Sequence, residues 1–233
     1  MSVLHIESVC KEYKDKIALA PFSLQAEPGE CIVLCGGNGA GKSTLLHILA
    51  GISKPSKGTV LLQGMDIQKQ RKKYITNIGY MPDEFPIQET MGTKEFLTFY
   101  ASLRKVSQER VKRLIQMLGL EEKKHEKVKA LSKGMRQRLL FGQACLGGPA
   151  LLLLDEPTNG LDPYWMNVFV QMLQDMKEQG TIIIFSTHMM DIAAEIGDRV
   201  FFMEEGKVVK VLNNERQDTT KFTLELLQLH RTV

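Results

Sequence analysis

Long apolar runs are missing from this 233-residue chain, and their absence sets the first limit on what it can be. The stretches Leu151–Leu154 and Ile182–Phe185 are strand-sized, far short of the roughly 20 residues a helix needs to cross a bilayer. Charge of one sign is also scarce. The formal net charge is +3, too small to call for a nucleic-acid partner. Cysteine is sparse and unpatterned: Cys10, Cys31, Cys35 and Cys145 form no CxxC pair, so a zinc ribbon or disulfide framework is not expected and reduced core thiols are. Residues Met1 to Glu12 mix charges with apolar side chains, which is not the pattern of a signal peptide. Any membrane role is therefore expected to come through a partner.

What is present is ordinary for a globular protein, 43% hydrophobic and 24% charged, and long enough for one large domain. Three short apolar runs are each followed by a turn and a helical pattern. CIVLC precedes GGNGAGKST, LLLL precedes DEPTNGLD, and TIIIF precedes STH. Strand–turn–helix units of this kind build a parallel sheet, with ligands gathered at the carboxyl edge. Asp162 as a cap and Pro163 in the first turn open a helix whose face holds Trp165, Val168, Phe169, Met172, Leu173 and Met176, ending near Gly180. Ser107 opens another, with Val111, Leu114, Ile115 and Leu118 inward and Gly119 as its stop. Phe96, Leu97, Phe99, Tyr100 and Leu103 suggest a third, and a fourth follows Ser132. A helical block is thus expected at about residues 85–149, flanked by sheet-bearing core segments at about 1–84 and 150–212. Short strands are expected at Val3–Val9, Ile17–Gln25 and Thr59–Gln63. In the tail, 213–233, Phe222, Leu226 and Leu229 stand at helical spacing, yet FTLEL also alternates, so helix and strand both remain open.

Gly36-Gly37-Asn38-Gly39-Ala40-Gly41-Lys42-Ser43 matches G-x-x-x-x-G-K-[ST] between a strand and a helix. Its glycines let the backbone curl so that successive N–H groups face phosphate oxygens, and the helix start adds its positive end. Lys42 is placed to bridge the β- and γ-phosphates, Ser43 to ligate Mg²⁺ and Thr44 to donate to the α-phosphate. Asp155 and Glu156 end the strand Leu151–Leu154. Neighbouring strand residues point to opposite sides, so the two acids serve different tasks. Asp155 fits the Mg²⁺ side, and Glu156 fits the position that polarises an attacking water.

Together with LSKGMRQRL at Leu131–Leu139, NGLD at Asn159–Asp162 and STH at Ser186–His188, these motifs resemble the nucleotide-binding subunit of an ATP-binding-cassette (ABC) transporter, in family order over residues 1 to 212. The resemblance implies an α/β P-loop NTPase fold with a mainly parallel core sheet, an antiparallel β subdomain and an inserted helical subdomain. It implies ATP and Mg²⁺ as ligands, a transmembrane permease and a second nucleotide-binding subunit as partners, and ATP-driven dimer closure that energises transport, with export favoured by the motif variants. By the same resemblance Tyr13 stacks on adenine, His188 contacts the γ-phosphate, Asp162 meets the opposite subunit, and Ser132 with Gly134 caps ATP held by that subunit. A cytoplasmic place on the inner membrane face, through the permease, follows.

Two positions depart from the family pattern. Lys133 and Met135 replace a glycine and the glutamine of the usual LSGGQ, and Lys133 either favours ATP or lies in solvent. Asp83, in Tyr80-Met81-Pro82-Asp83-Glu84, stands where the family carries glutamine. A carboxylate ligates Mg²⁺ well, so Asp83 is expected to reach the metal directly or through water. The basic runs Lys69–Lys73 and Glu121–Lys129 read as solvated faces. Phe85–Met91 either docks a helix of the membrane subunit or packs against the helical block. A soluble ABC-type ATPase of translation or DNA repair, or a nucleotide sensor, is the alternative. The former types carry two cassettes or a long inserted coiled coil, and a sensor would not need both Glu156 and His188. A GTPase would need an [NT]-K-x-D run, which is absent.

Overall fold

The computed structural model describes residues 3–14, 16–84, 90–214 and 218–230. Its centre is a six-stranded sheet made from β3 (Cys31–Cys35), β6 (Ile78–Met81), β7 (Leu151–Leu154), β8 (Ile182–Ser186), β9 (Arg199–Glu204) and β10 (Lys207–Asn213), in the spatial order β10-β9-β3-β8-β7-β6. All neighbours are parallel except the β9–β10 hairpin. Uniform apolar runs suit such a sheet because both of its faces are covered. Alternation decides which residue serves which face. Val33, Leu152, Leu154, Ile183, Phe185 and Phe202 join one core, whereas Ile32, Leu34, Leu151, Leu153, Ile182 and Ile184 join the other.

The first core is closed by helices. These are α3 (Thr93–Leu103), α4 (Gln108–Met117), α5 (Lys133–Cys145), α6 (Pro163–Glu178), α7 (Met190–Ile196) and α8 (Thr219–His230). The second core lies between the central sheet and a four-stranded antiparallel sheet, ordered β2-β1-β4-β5 and built from β1 (Leu4–Tyr13), β2 (Lys16–Ala26), β4 (Lys57–Leu62) and β5 (Met65–Asp66). Helix α1 (Lys42–Leu49) fills that core with Leu45, Leu46, Ile48 and Leu49, all fully buried. Burying a side chain of this size stabilises the fold by about 1.5–3 kcal/mol, so α1 is anchored along its length while its first turn faces the carboxyl edge of the sheet. The short α2 (Arg71–Thr76) seals the far end with Tyr74.

The expected strand–turn–helix order and the expected α/β architecture with an antiparallel sheet and helices are present. Ser107 and Asp162 cap α4 and α6 through their side chains, and Gly119 follows α4 with φ 60°. The strand expected at Thr59–Gln63 is Lys57–Leu62, because Gln63 turns away with φ 51°. The tail is helical: Phe222 and Leu226, one turn apart, are both buried against the helical core. Of the segment Phe85–Met91, residues 85–89 lie outside those described, and Met91 packs against the first core. All four cysteines are free and buried. Burial pushes Cys35 and Cys145 up to about 12 and Cys31 higher still, so these thiols stay protonated. Among the described residues no helix is long and apolar enough to cross a membrane.

Candidate nucleotide site

Chain direction explains why the chemistry-bearing residues meet. Strands β3, β7 and β8 are parallel, so the turns after Cys35, Leu154 and Ser186 all open at one edge. There, an open cavity of about 310 Å³ is lined by Lys16, Ala18, Asn38 to Thr44, Asp83, Asp155 and Glu156. Most of the expected site residues therefore share one space.

The loop before α1 is shaped by two glycines. A side chain at Gly36 (φ 145°) would put its Cβ 2.1 Å from the Met203 carbonyl oxygen, and one at Gly41 (φ 97°) would meet the Ala18 carbonyl at 2.9 Å. Neither position tolerates another residue. Gly37 and Gly39, in contrast, have no protein atom within 4 Å of such a Cβ, so that side of the loop is open. No side chain caps α1, and its first backbone bond runs from Leu45 N–H to the Gly41 carbonyl. The amides of Lys42, Ser43 and Thr44 are consequently left for an anion, with the helix dipole behind them. Buried Lys42 donates from Nζ to the Gly36 and Gly37 carbonyls, at 2.8 and 3.1 Å.

Strand β7 ends at Leu154, so alternation does not set the directions of the two acids, and both line the cavity. Asp155 is 4% exposed, and its Oδ1 accepts the Ser186 hydroxyl at 2.6 Å. Glu156 stands outside the strand with φ 46°, a left-handed conformation uncommon for a residue with a Cβ. Its Oε2 lies 2.9 Å from His188 Nδ1, its N–H donates to Ser186 Oγ at 2.9 Å, and its carbonyl accepts Gln137 Nε2 at 3.2 Å. Asp83 lines the same cavity, and its Oδ1 accepts from Asn159 Nδ2 at 2.9 Å.

The remaining expected residues stand apart. Tyr13 ends β1 beside Lys16, is 53% exposed and carries the Lys11 ammonium 4.7 Å from its ring centre. Ser132 caps α5 by accepting from Met135 N–H at 3.2 Å, and Gly134 presses on the turn before α6, where a Cβ would approach the Gly160 carbonyl to 2.5 Å. Neither Ser132 nor Gly134 lines the phosphate-loop cavity. Lys133 lays its aliphatic stem over Gly160. Sequence reasoning missed Ser186, Gln137 and Asn159 as partners of the acids. The only signal for Ser186 was a hydroxyl at the carboxyl end of a buried strand.

The ABC transporter family profile matches residues 19–159, more than half of the chain. The chain belongs to the ABC transporter family. Among relatives of this ABC ATP-binding subunit, the Bacillus subtilis proteins YdbJ and YxlF, each described as an uncharacterized ABC transporter ATP-binding protein, are 34% and 35% identical over 94% and 96% of the chain, covering 71% and 77% of the relatives' lengths. The Nod factor export ATP-binding protein I of Rhizobium etli is 32% identical over 90% of the chain and 67% of its own length. Solved structures agree on the fold. An ATP-binding subunit of an ABC transporter superposes with a TM-score of 0.85 at 24% identity, covering 97% of this chain and all of that one. The dimeric cassette MJ0796 gives 0.83 at 24% identity over 91% and 99% of the two chains. A post-hydrolysis form of the same cassette, bound to ADP and Pi, gives 0.81.

Proposed function

We propose that this subunit binds ATP with Mg²⁺, hydrolyses it, and uses the cycle to drive a membrane-embedded exporter. The observation that carries the reading is the convergence of the phosphate loop, Asp155 and Glu156 on one cavity, with His188 bonded to the Glu156 carboxylate. The free amides of the loop, Lys42 and the hydroxyls of Ser43 and Thr44 hold the phosphates. Ser43 and Asp155 are the Mg²⁺ ligands and Asp83 a further acceptor for its shell. Among the described residues no three His, Cys, Asp or Glu side chains form a metal cage, so the ion takes its other ligands from phosphate and water. When bound, Mg²⁺ supplies positive charge against the phosphate oxygens.

Glu156 orients the attacking water and accepts its proton, while His188 holds the carboxylate and lies next to where the terminal phosphate ends. Tyr13, at the sheet edge past Lys16, offers its ring to adenine. Because Ser132 and Gly134 lie away from the loop of their own chain, their cap serves ATP on a second nucleotide-binding subunit, and Asp162 lies at the same contact. MJ0796, with the same fold, is described as a dimer, and the Rhizobium relative is named for export. We read residues 85–149 as the helical subdomain inserted between core segments 1–84 and 150–212, and 213–233 as a C-terminal extension. We read the groove beside that subdomain, lined by His47, Ile52, Arg71, Ile75, Tyr100 and Arg104 among others, as the permease dock, and the subunit as held by it on the cytoplasmic membrane face.

Glu156→Gln tests the reading. Turnover falls by about 10²–10⁴-fold, the usual contribution of a general base, while ATP binding by calorimetry persists. Equal loss of binding and turnover, or unchanged turnover, rejects it.

A further inference from the structure

Ser186 is fully buried at the end of β8, and both hydrogen-bonding capacities of its hydroxyl are directed at the acidic pair. A carboxylate can only accept, so the single hydroxyl proton lies in the 2.6 Å bond to Asp155 Oδ1. That leaves the Oγ lone pairs for the Glu156 N–H at 2.9 Å. One oxygen atom thus holds Oδ1 of Asp155, whose residue lines the cavity together with Ser43, and also anchors the peptide that leads into Glu156. The second bond has a particular consequence. Glu156 sits in left-handed backbone space at φ 46°, which a residue with a Cβ leaves unless its surroundings hold it there. Its own carbonyl is tied by Gln137 from α5 and by the Asn159 N–H at 3.2 Å. The Ser186 bond is the tie at the other end.

We infer that Ser186 is a positioning residue that sets both acids at once, orienting Asp155 toward the metal side and holding Glu156 in the strained backbone conformation that aims its carboxylate at the terminal phosphate. The inference rests on the roles proposed above for Asp155 and Glu156. It differs from them in naming a buried hydroxyl, outside the lining of the cavity, on which both depend. The register of β7 with β8, Leu154 opposite Phe185, makes the arrangement possible, since the next residue on each strand then falls beside the other.

The test compares Ser186→Ala with Ser186→Thr in the full chain. Ser186→Ala lowers kcat about 10–100-fold, the range for removing a hydrogen-bonded support behind a reacting or metal-ligating group. Calorimetric ATP affinity in EDTA stays unchanged, because the phosphate loop is untouched. The gain in affinity on adding Mg²⁺ shrinks by about tenfold. Ser186→Thr keeps the hydroxyl and restores both turnover and the Mg²⁺ gain to within about threefold of the parent. An alanine variant with parental kcat and Mg²⁺ gain overturns the inference, and so does equal loss in the alanine and threonine variants, which would mark a packing effect. Glu156→Gln, run alongside, keeps the two claims apart. If it hydrolyses ATP like the parent, the proposed function fails; if it is inert while Ser186→Ala is unimpaired, only the role of Ser186 fails.

Discussion

Arg138 offers a perturbation whose size follows from contacts on three helices. Its guanidinium carbon stands 3.8 Å from the centre of the Trp165 ring, near the start of α6, and Nη1 donates to the Leu118 carbonyl at 2.8 Å, at the end of α4. Trp165 is also wedged against Gly119, where a Cβ would sit 2.3 Å from the indole. A partly desolvated cation–π contact contributes about 0.5–2 kcal/mol, and a hydrogen bond from a charged donor about 1.5–3 kcal/mol. Against this, Arg138 Nε is buried without a partner among the described residues, and burial lowers the guanidinium pKa, so removing the side chain also relieves about 1 kcal/mol of desolvation. Arg138→Ala should therefore cost about 1–4 kcal/mol. For a chain of this length each kcal/mol moves Tm by about 2–4 °C, which predicts a fall of roughly 2–16 °C by calorimetry. Trp165 is the only tryptophan, so emission excited at the indole edge comes from this site and should shift with the substitution. A double-mutant cycle with Trp165→Phe should return coupling of at least about 0.5 kcal/mol. A Tm within a degree of the parent together with an unchanged emission spectrum would refute the reasoning.

Two further outcomes follow from the site and the core. Asp83→Asn keeps an acceptor for Asn159 Nδ2 and should leave Tm nearly unchanged, but without the negative charge the Mg²⁺ concentration for half-maximal turnover should rise about three- to tenfold; parental Mg²⁺ dependence would remove the metal role of Asp83. Burial raises Cys35 and Cys145 from 9.0 to about 12, and Cys31 further. Between those values the unfolded chain has released protons that the folded chain keeps, so this stability is complete below pH 9 and falls as pH rises, by up to about 1.4 kcal/mol per pH unit for each thiol. Urea midpoints followed from pH 8 to 11 should decline, less steeply in Cys145→Ala, and a flat profile would contradict the burial argument.

The residues that were legible in advance share a physical reason. Strands β3, β7 and β8 are covered on both faces, so each shows as an unbroken apolar run, and Asp162-Pro163 and Ser107 are local caps that need no tertiary information. The hairpin β9–β10 was not foreseen, because β10 is an exposed edge strand whose residues Val208, Val209 and Val211 lack a buried face. Its turn at Glu205 and Gly206, both with positive φ, was the available signal. Helix α2 was hidden in a basic run that is indeed solvent-exposed, since only Tyr74 of that helix turns inward. FTLEL fits helix and strand equally, and the helix prevails because the first core offers Phe222 and Leu226 a common place to bury. At the site, the phosphate loop and the acids were readable from spacing alone. The bonds among Ser186, Asp155 and Glu156 were not, because the β7–β8 register is set by the packing of the whole sheet.

The same contacts bear on how the helical region communicates with the chemistry. Helix α5 reaches Glu156 through Gln137, presses on the turn before α6 at Gly134 and Gly160, and stacks Arg138 on Trp165. It also lies directly on the sheet, since a Cβ at Gly79 of β6 would come 2.2 Å from the Ala144 carbonyl. A rigid shift of α5 therefore cannot be absorbed by soft side chains alone. The Glu156 peptide is bonded to α5 at its carbonyl, through Gln137, and to the central sheet at its N–H, through Ser186, so a displacement of α5 relative to the sheet acts across this one residue.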